Sequence, residues 1–230
     1  MNMAGFESAL IALGLTLKIS IWATAINLFL AVGLAYIFAT KRFALRDTFD
    51  ALLTLPMVLP PTVLGYYLLV LIGRNGPIGE FLAFHFGIQL IFSWQGAVIA
   101  ATITSFPLVF KSARAAFESI SPQFRQAASS LGVNDLSIFF RVTLPLAWRG
   151  IMAGTLLGFA RSMGEFGATL MVAGSIPGQT QTLSIAVYEA VQAGQDQLAN
   201  FLVMIISIVS FVILIASNRL TPRGLRPNHV

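Results

Sequence analysis

Residues Ala9–Thr40 read ALIALGLTLKISIWATAINLFLAVGLAYIFAT, 32 residues with a single charge, Lys18. A transmembrane helix needs about 20 mostly apolar residues at a rise of about 1.5 Å each. The stretch is longer than one crossing, so part of it is expected at the membrane interface. Four further apolar stretches follow. Ala51–Gly73 has no charge, Ile88–Phe110 lies within a wider run from Phe81, Gly150–Gly174 is interrupted by Arg161 and Glu165, and Gln197–Asn218 comes last. Composition agrees: 57% of the 230 residues are hydrophobic and 10% charged, against roughly 25% charged in soluble domains. The mean hydropathy of +0.82 leaves too little polar surface to cover a core in water. The expected fold class is all-α, a polytopic transmembrane helical bundle of about five spans. Met1–Leu10 has no basic leader region, so the first stretch is expected to remain as a permanent span rather than a cleaved signal.

Composition also excludes chemistry. The chain has no Cys, which removes disulfides, thiolate metal sites and thiol nucleophiles. With two His and nine acidic residues, no metal site is expected. The net charge of +5 does not form the basic face that nucleic acid requires, because the cations are scattered between apolar runs.

Their placement reports topology instead. Lys41, Arg42 and Arg46 follow the first span; Lys111, Arg114, Arg125, Arg141 and Arg149 lie between the third and fourth; Arg219, Arg223 and Arg226 follow the fifth. By the positive-inside rule these segments are cytoplasmic, which places the N-terminus outside and the C-terminus inside. The opposite segments, Gly76–Leu90 and Ser175–Gln197, are too long for tight turns and carry Phe81, Phe84, Phe86, Ile185, Val187 and Tyr188, so short interfacial helices are expected there. No repeat or linker divides the chain, and residues 1–230 read as one transmembrane domain.

The segment Lys111–Arg149 is far longer than a connection needs. Ser121-Pro122 supplies a helix start, and Gly132 fits just past the end of a helix through Gln126, Ala127, Ala128 and Leu131. Asn134 or Asp135 can cap a second helix through Ile138, Phe139 and Val142, stopping at Leu144-Pro145. Phe124, Ala128 and Leu131 form one apolar stripe and Ile138, Phe139 and Val142 another. Each needs a cover, and spacing leaves two open: the chain's own spans with the headgroup layer, or a partner protein.

These residues resemble a known pattern. Gln126-Ala127-Ala128, Gly132 and Val142-Thr143-Leu144-Pro145 are spaced as in the Glu-Ala-Ala loop of membrane subunits of binding-protein-dependent ABC importers, with Gln126 in place of the usual Glu and Val142 in place of the usual Ile. The resemblance implies an ABC importer permease fold in which Gln126, Ala127, Ala128, Gly132, Val142, Leu144 and Pro145 form a coupling helix seated in a groove of an ATPase subunit. The residues are consistent with that division of labour. A phosphate-binding loop needs a glycine-rich turn followed by Lys and a hydroxyl, and none of the three lysines, Lys18, Lys41 and Lys111, stands in one. The chain is therefore expected to hold no cofactor and not to be an enzyme, with ATP and Mg bound by the partner ATPase.

Arg161 and Glu165 lie on one helical face, roughly midway along the fourth stretch. A charge at a helix centre costs about 2.5 to 3.5 kcal/mol on a translocon scale, so such residues face a bundle interior or water and find partners. They bridge each other to hold the helix, or Arg161 lends positive potential to an anion path; spacing does not decide. Gly154, Gly158, Gly164 and Gly167 offer a small-residue surface for close approach. Pro56, Pro60 and Pro61 should kink or unwind the second span, and with Thr62 and Gly65 they form a candidate gate. Pro107 is expected only to bend the third. His85 and His229 carry no evident chemistry.

The run Phe159–Thr169 resembles the motif that follows the coupling loop in permeases for molybdate, tungstate and sulfate. Leu55–Tyr67, Phe92–Ala97, Ser105–Pro107 and Ile176–Thr180 resemble the molybdate permeases among them, over nearly the whole chain. The resemblance implies import of molybdate across the bacterial cytoplasmic (inner) membrane by alternating access. It also implies a homodimer, two ATPase subunits on the cytoplasmic side and an external binding protein; from their own chemistry and placement, Arg161, Glu165, Pro60, Pro61 and Thr62 are the candidate path or gate residues. A sulfate or tungstate permease is the alternative. An ion-driven anion carrier would explain the two charges but has no need of the segment Ser121–Pro145. An intramembrane hydrolase lacks a nucleophile and a base.

Overall fold

The computed structural model describes residues 3–220, with side chains over residues 6–216. The expected basic tail residues Arg223 and Arg226, His229 and the side chain of Arg219 lie outside the described residues. All regular elements described are helices.

The first stretch forms one unbroken helix, α1 (Met3–Thr40). Its inward face is lined by Ala9, Ala12, Ala23, Ala31 and Ala35, all buried, so neighbouring helices approach closely. Lys18 places its ammonium 3.7 Å from the centroid of the Trp94 ring. Aromatic and basic side chains of this kind gather at a membrane interface, and the residues from 19 to 40 then span about 33 Å before Lys41. That matches a hydrocarbon core of about 30 Å. Residues preceding Lys18 stand beyond this level and pack on α10 (Leu183–Gln192) and α11 (Asp196–Leu220) through Ala9, Ala12, Leu183 and Leu202.

The second stretch is not one straight span. It forms α2 (Arg46–Thr54), a single 3-10 turn at Leu55–Met57 and α3 (Pro61–Ile72), and the two halves are bent by 109°. Pro56, Pro60 and Pro61 remove three successive chances to continue the backbone ladder, and Pro60 is extended (φ −55°, ψ 135°). After α4 (Pro77–Phe86), the third span, α5 (Trp94–Glu118), starts and ends later than the stretch Ile88–Phe110. The Ser93 hydroxyl accepts from the Gly96 amide at 3.1 Å and fixes the start, while Pro107 sits inside an unbroken helix. Short helices, α4 and α10, occupy the two segments where interfacial helices are expected.

The fourth span also departs from expectation. Leu144-Pro145 does not stop the preceding helix. After α6 (Pro122–Ser130), α7 (Asp135–Ile138) continues through a π turn at Phe139–Thr143 into α8 (Leu144–Met163). Pro145 falls in the first turn after the π turn, where the widened ladder makes room for a ring and a missing N–H. The span breaks at Gly164-Glu165-Phe166 and resumes as α9 (Gly167–Ala173). Among the described residues, four helices are long and apolar enough to cross a membrane, and α2 with α3, taken as one broken span, makes five.

The glycine surface packs α8 on α5. A Cβ at Gly150 would meet the Ala116 Cβ at 2.6 Å, at Gly154 the Ser112 Cβ at 2.3 Å, and at Gly158 the Val109 Cγ2 at 2.5 Å. Gly164 is not part of this seam, its nearest contact being 3.8 Å. Within the bundle, the buried Asn27 amide donates to the Thr102 carbonyl at 3.0 Å and the Ser105 hydroxyl at 2.9 Å, tying α1 to α5. At the basic end Asp50 pairs with Lys111 and Arg114, and Glu118 with Arg114 and Arg46, so α2 is held to α5 by charge.

Candidate functional site: two helix breaks and an uncovered segment

The expected path residues lie at two breaks in the helices. The break before α3 and the break before α9 lie against each other: a Cβ at Gly167 would stand 2.8 Å from the Pro61 Cβ and 3.5 Å from the Thr62 amide. One turn on, a Cβ at Gly65 would stand 2.7 Å from the Met171 Cβ. The short helices α3 and α9 thus run side by side, each freed at its start from the long element before it. Pro60, Pro61 and Thr62 are exposed at this junction.

Arg161 and Glu165 lie at the second break, not midway along a continuous helix. Arg161 is in the last turn of α8 and Glu165 in the gap. Glu165 is 2% exposed, and its two oxygens have separate duties: Oε1 accepts from the Ala168 amide at 3.0 Å, capping α9, and Oε2 lies 2.8 Å from the Arg161 guanidinium. This second contact is an ion pair whose angle falls outside hydrogen-bond geometry. The Arg161 side chain is 36% exposed. Glu165 is therefore turned into the protein, and of the two charges the one that reaches the surface of the chain is that of Arg161.

The segment at the basic end divides in two. The second stripe is covered by the chain itself: Ile138 is buried, and Phe139 packs edge-on against Tyr36 at 4.6 Å between centroids. The first is not covered. Helix α6 buries no residue; Gln126 and Ala127 are exposed, Ala128 is half-buried, and Phe124, Leu131 and Leu136 are 55%, 83% and 68% exposed. Gly132 adopts φ +76° and completes a Schellman motif, its amide donating to the Ser129 carbonyl and that of Val133 to Ala128. Asn134 caps α7 by accepting from the Ser137 amide at 2.8 Å, whereas Ser121 makes no side-chain cap. Val142 and Leu144 are half-buried and Pro145 is exposed at the root of α8. A cavity of about 420 Å³ separates α6 and α7 from the ends of α1 and α5, with Thr40, Glu118, Arg125, Gln126 and Asp135 in its wall. Among the described residues no group of three His, Asp or Glu side chains could hold a metal ion.

The model of the binding-protein-dependent transport system inner membrane components matches residues 31–223. The chain belongs to this family. It is thus a multi-pass inner-membrane component of a transport system, a permease subunit. Two curated permeases of the family, both named molybdenum transport system permease protein ModB, are 40% identical over 92% of this chain and 93% of the Haemophilus influenzae protein, and 42% identical over 88% of this chain and 89% of the Escherichia coli protein. The sulfate transport system permease protein CysW of Synechocystis is 35% identical over 97% of this chain and 79% of its own length. Among solved structures, a chain of the MetNI methionine ABC transporter in inward-facing conformations shares the fold (TM-score 0.73, 16% identity, 96% of this chain and all of that chain). So does a chain of a bacterial importer of alginate (TM-score 0.74, 15% identity, 98% and 85%).

Two features of this permease have no signal in the sequence, and a third has one: Gly150 extends the GxxxG spacing by one turn. The Pro61–Gly167 contact and the charge cluster of Asp50, Lys111 and Arg114 join residues over 60 positions apart and carry no local signal.

Proposed function

We propose that this permease carries molybdate into the cell, and that the paired breaks at Pro60–Thr62 and Gly164–Gly167 form its gate. The observation that carries the reading is the contact of the two breaks beside Arg161. Half-helices that begin inside a membrane turn their positive dipole ends inward. Although Glu165 already fills the Ala168 amide of α9 and Pro61 brings no N–H to α3, the Arg161 guanidinium beside the second break is a group that an oxyanion recognises. The choice of molybdate rests on identities of 40 and 42% to relatives named for molybdenum, against 35% to a sulfate permease longer than this chain.

The rest of the assembly follows from the uncovered segment. Phe124, Leu131 and Leu136 seat in an ATPase subunit that binds ATP and Mg, with Gln126, Ala127, Ala128 and Gly132 shaping the contact and Val142, Leu144 and Pro145 rooting it in α8. Two such chains form a homodimer with two ATPases at the cytoplasmic end and a periplasmic molybdate-binding protein opposite; the N-terminus is outside and the C-terminus inside. The unbroken course from α7 into α8 turns a push on the segment into a shift at Arg161 and the second break. ATP then biases two states of the gate, which is alternating access by population shift.

The test is uptake of labelled molybdate at nanomolar concentration in cells with the gene removed and restored, with excess sulfate as competitor. Loss and rescue that resist sulfate are expected. Unchanged molybdate uptake with impaired sulfate uptake would assign the chain to sulfate.

A further inference from the structure

At the basic end, the turn from α1 into α2 is built as a membrane-surface element and is unaccounted for by transport. Leu45 sits at φ +64°, a conformation that a branched side chain adopts only under strain. The turn puts Leu45, Phe49 and Leu52 on one face of α2, at 68%, 48% and 61% exposure, and none of the residues of α2 is buried. The opposite face carries Arg46 and Asp50, tied to Glu118, Lys111 and Arg114 on α5, with Asp47 exposed in the first turn. The helix is amphipathic with its polar face, not its apolar one, against the protein.

Depth and charge identify what lies against the apolar face. Counting from the Lys18–Trp94 belt, about 33 Å of α1 ends at Lys41, where a bilayer passes from acyl chains to phosphates. Lys41 and Arg42 are exposed there and form no ion pair with any described residue. Phe43 stacks edge-on against the buried Phe38 at 5.1 Å, which holds the two cations at the end of a rigid helix. We propose that this elbow binds an acidic phospholipid of the inner leaflet, with Lys41 and Arg42 on the headgroup phosphate and Leu45, Phe49 and Leu52 among the acyl chains. The site is independent of the cargo. It also has a route to the gate, since α2 leads within one 3-10 turn to Pro60 and Pro61.

The experiment is native mass spectrometry of the full chain released from nanodiscs holding equal phosphatidylglycerol and phosphatidylcholine. Each cation near a membrane surface contributes about 1 kcal/mol, or about 5-fold, so the wild type should retain phosphatidylglycerol about 30-fold in preference. Lys41→Gln with Arg42→Gln should reduce this to near parity, while the charge-preserving Lys41→Arg with Arg42→Lys should keep it. Arg74→Gln, at the other end of the bundle, should leave it unchanged. Absence of preference in the wild type, its persistence in the double glutamine variant, or an equal loss in Arg74→Gln would overturn the proposal.

Discussion

Arg161 and Glu165 are unequal partners, and their burial predicts how unequal. Arg161→Leu leaves a carboxylate that is 2% exposed with one remaining hydrogen bond, from the Ala168 amide. Breaking a buried pair costs about 3 to 5 kcal/mol, and because the arginine side chain is 36% exposed the low end applies, about 3 kcal/mol. Glu165→Gln keeps an oxygen for the Ala168 amide and leaves a cation that water can reach, so it should cost no more than about 1 kcal/mol. For a chain of this size each kcal/mol shifts the midpoint by roughly 2 to 4 °C. Arg161→Leu should lower the Tm of the purified protein by roughly 6 to 12 °C and Glu165→Gln by roughly 4 °C at most. Combining the two should recover most of the Tm, because no unpaired charge is then buried. Transport should stay lost in the combined variant, because the cation at the break is gone. Equal Tm losses in the two single variants, or a double variant as unstable as Arg161→Leu, would refute this pairing; transport restored along with the Tm would remove Arg161 from the path.

Gly132→Val forces a β-branched residue to φ +76° with open space around it, a conformational cost of about 1 to 2 kcal/mol confined to the end of α6; the chain should still insert while co-purification of the ATPase falls. Gly154→Ala puts a Cβ 2.3 Å from that of Ser112, and the seam must open at about 1 to 3 kcal/mol, whereas Gly164→Ala should be silent; yield of monodisperse protein on size exclusion separates them. Asn27→Leu removes two hydrogen bonds between α1 and α5, worth about 0.6 kcal/mol each in a bilayer, and should lower the Tm by a few degrees.

What was legible in the sequence is what has a local physical cause. An apolar run without proline became α1, and Pro56, Pro60 and Pro61 marked the broken span. Gly132 marked the end of α6 because only a left-handed residue closes that turn. The same local logic failed at Leu144-Pro145, where a π turn absorbs the proline, and at Gly164–Phe166, where the break is held by the side chain of Glu165 rather than by a helix breaker. Arg161 and Glu165 therefore read as midway along one span, whereas Arg161 lies in the last turn of α8 and Glu165 inside the interruption. The covering of the two stripes was open at the level of spacing: Phe139 finds Tyr36, over 100 residues away, and Phe124 stays 55% exposed at the wall of the cavity.

Under the proposed coupling, molybdate moves through this chain only when work enters at the segment around Gly132. The direct measurement is accumulation of labelled molybdate in proteoliposomes holding the purified permease, its ATPase and the binding protein. With ATP, accumulation should proceed, and Gly132→Val should stop it while the chain remains in the vesicle. Accumulation without ATP, driven by an imposed ion gradient and indifferent to Gly132→Val, would contradict the account and describe a secondary carrier.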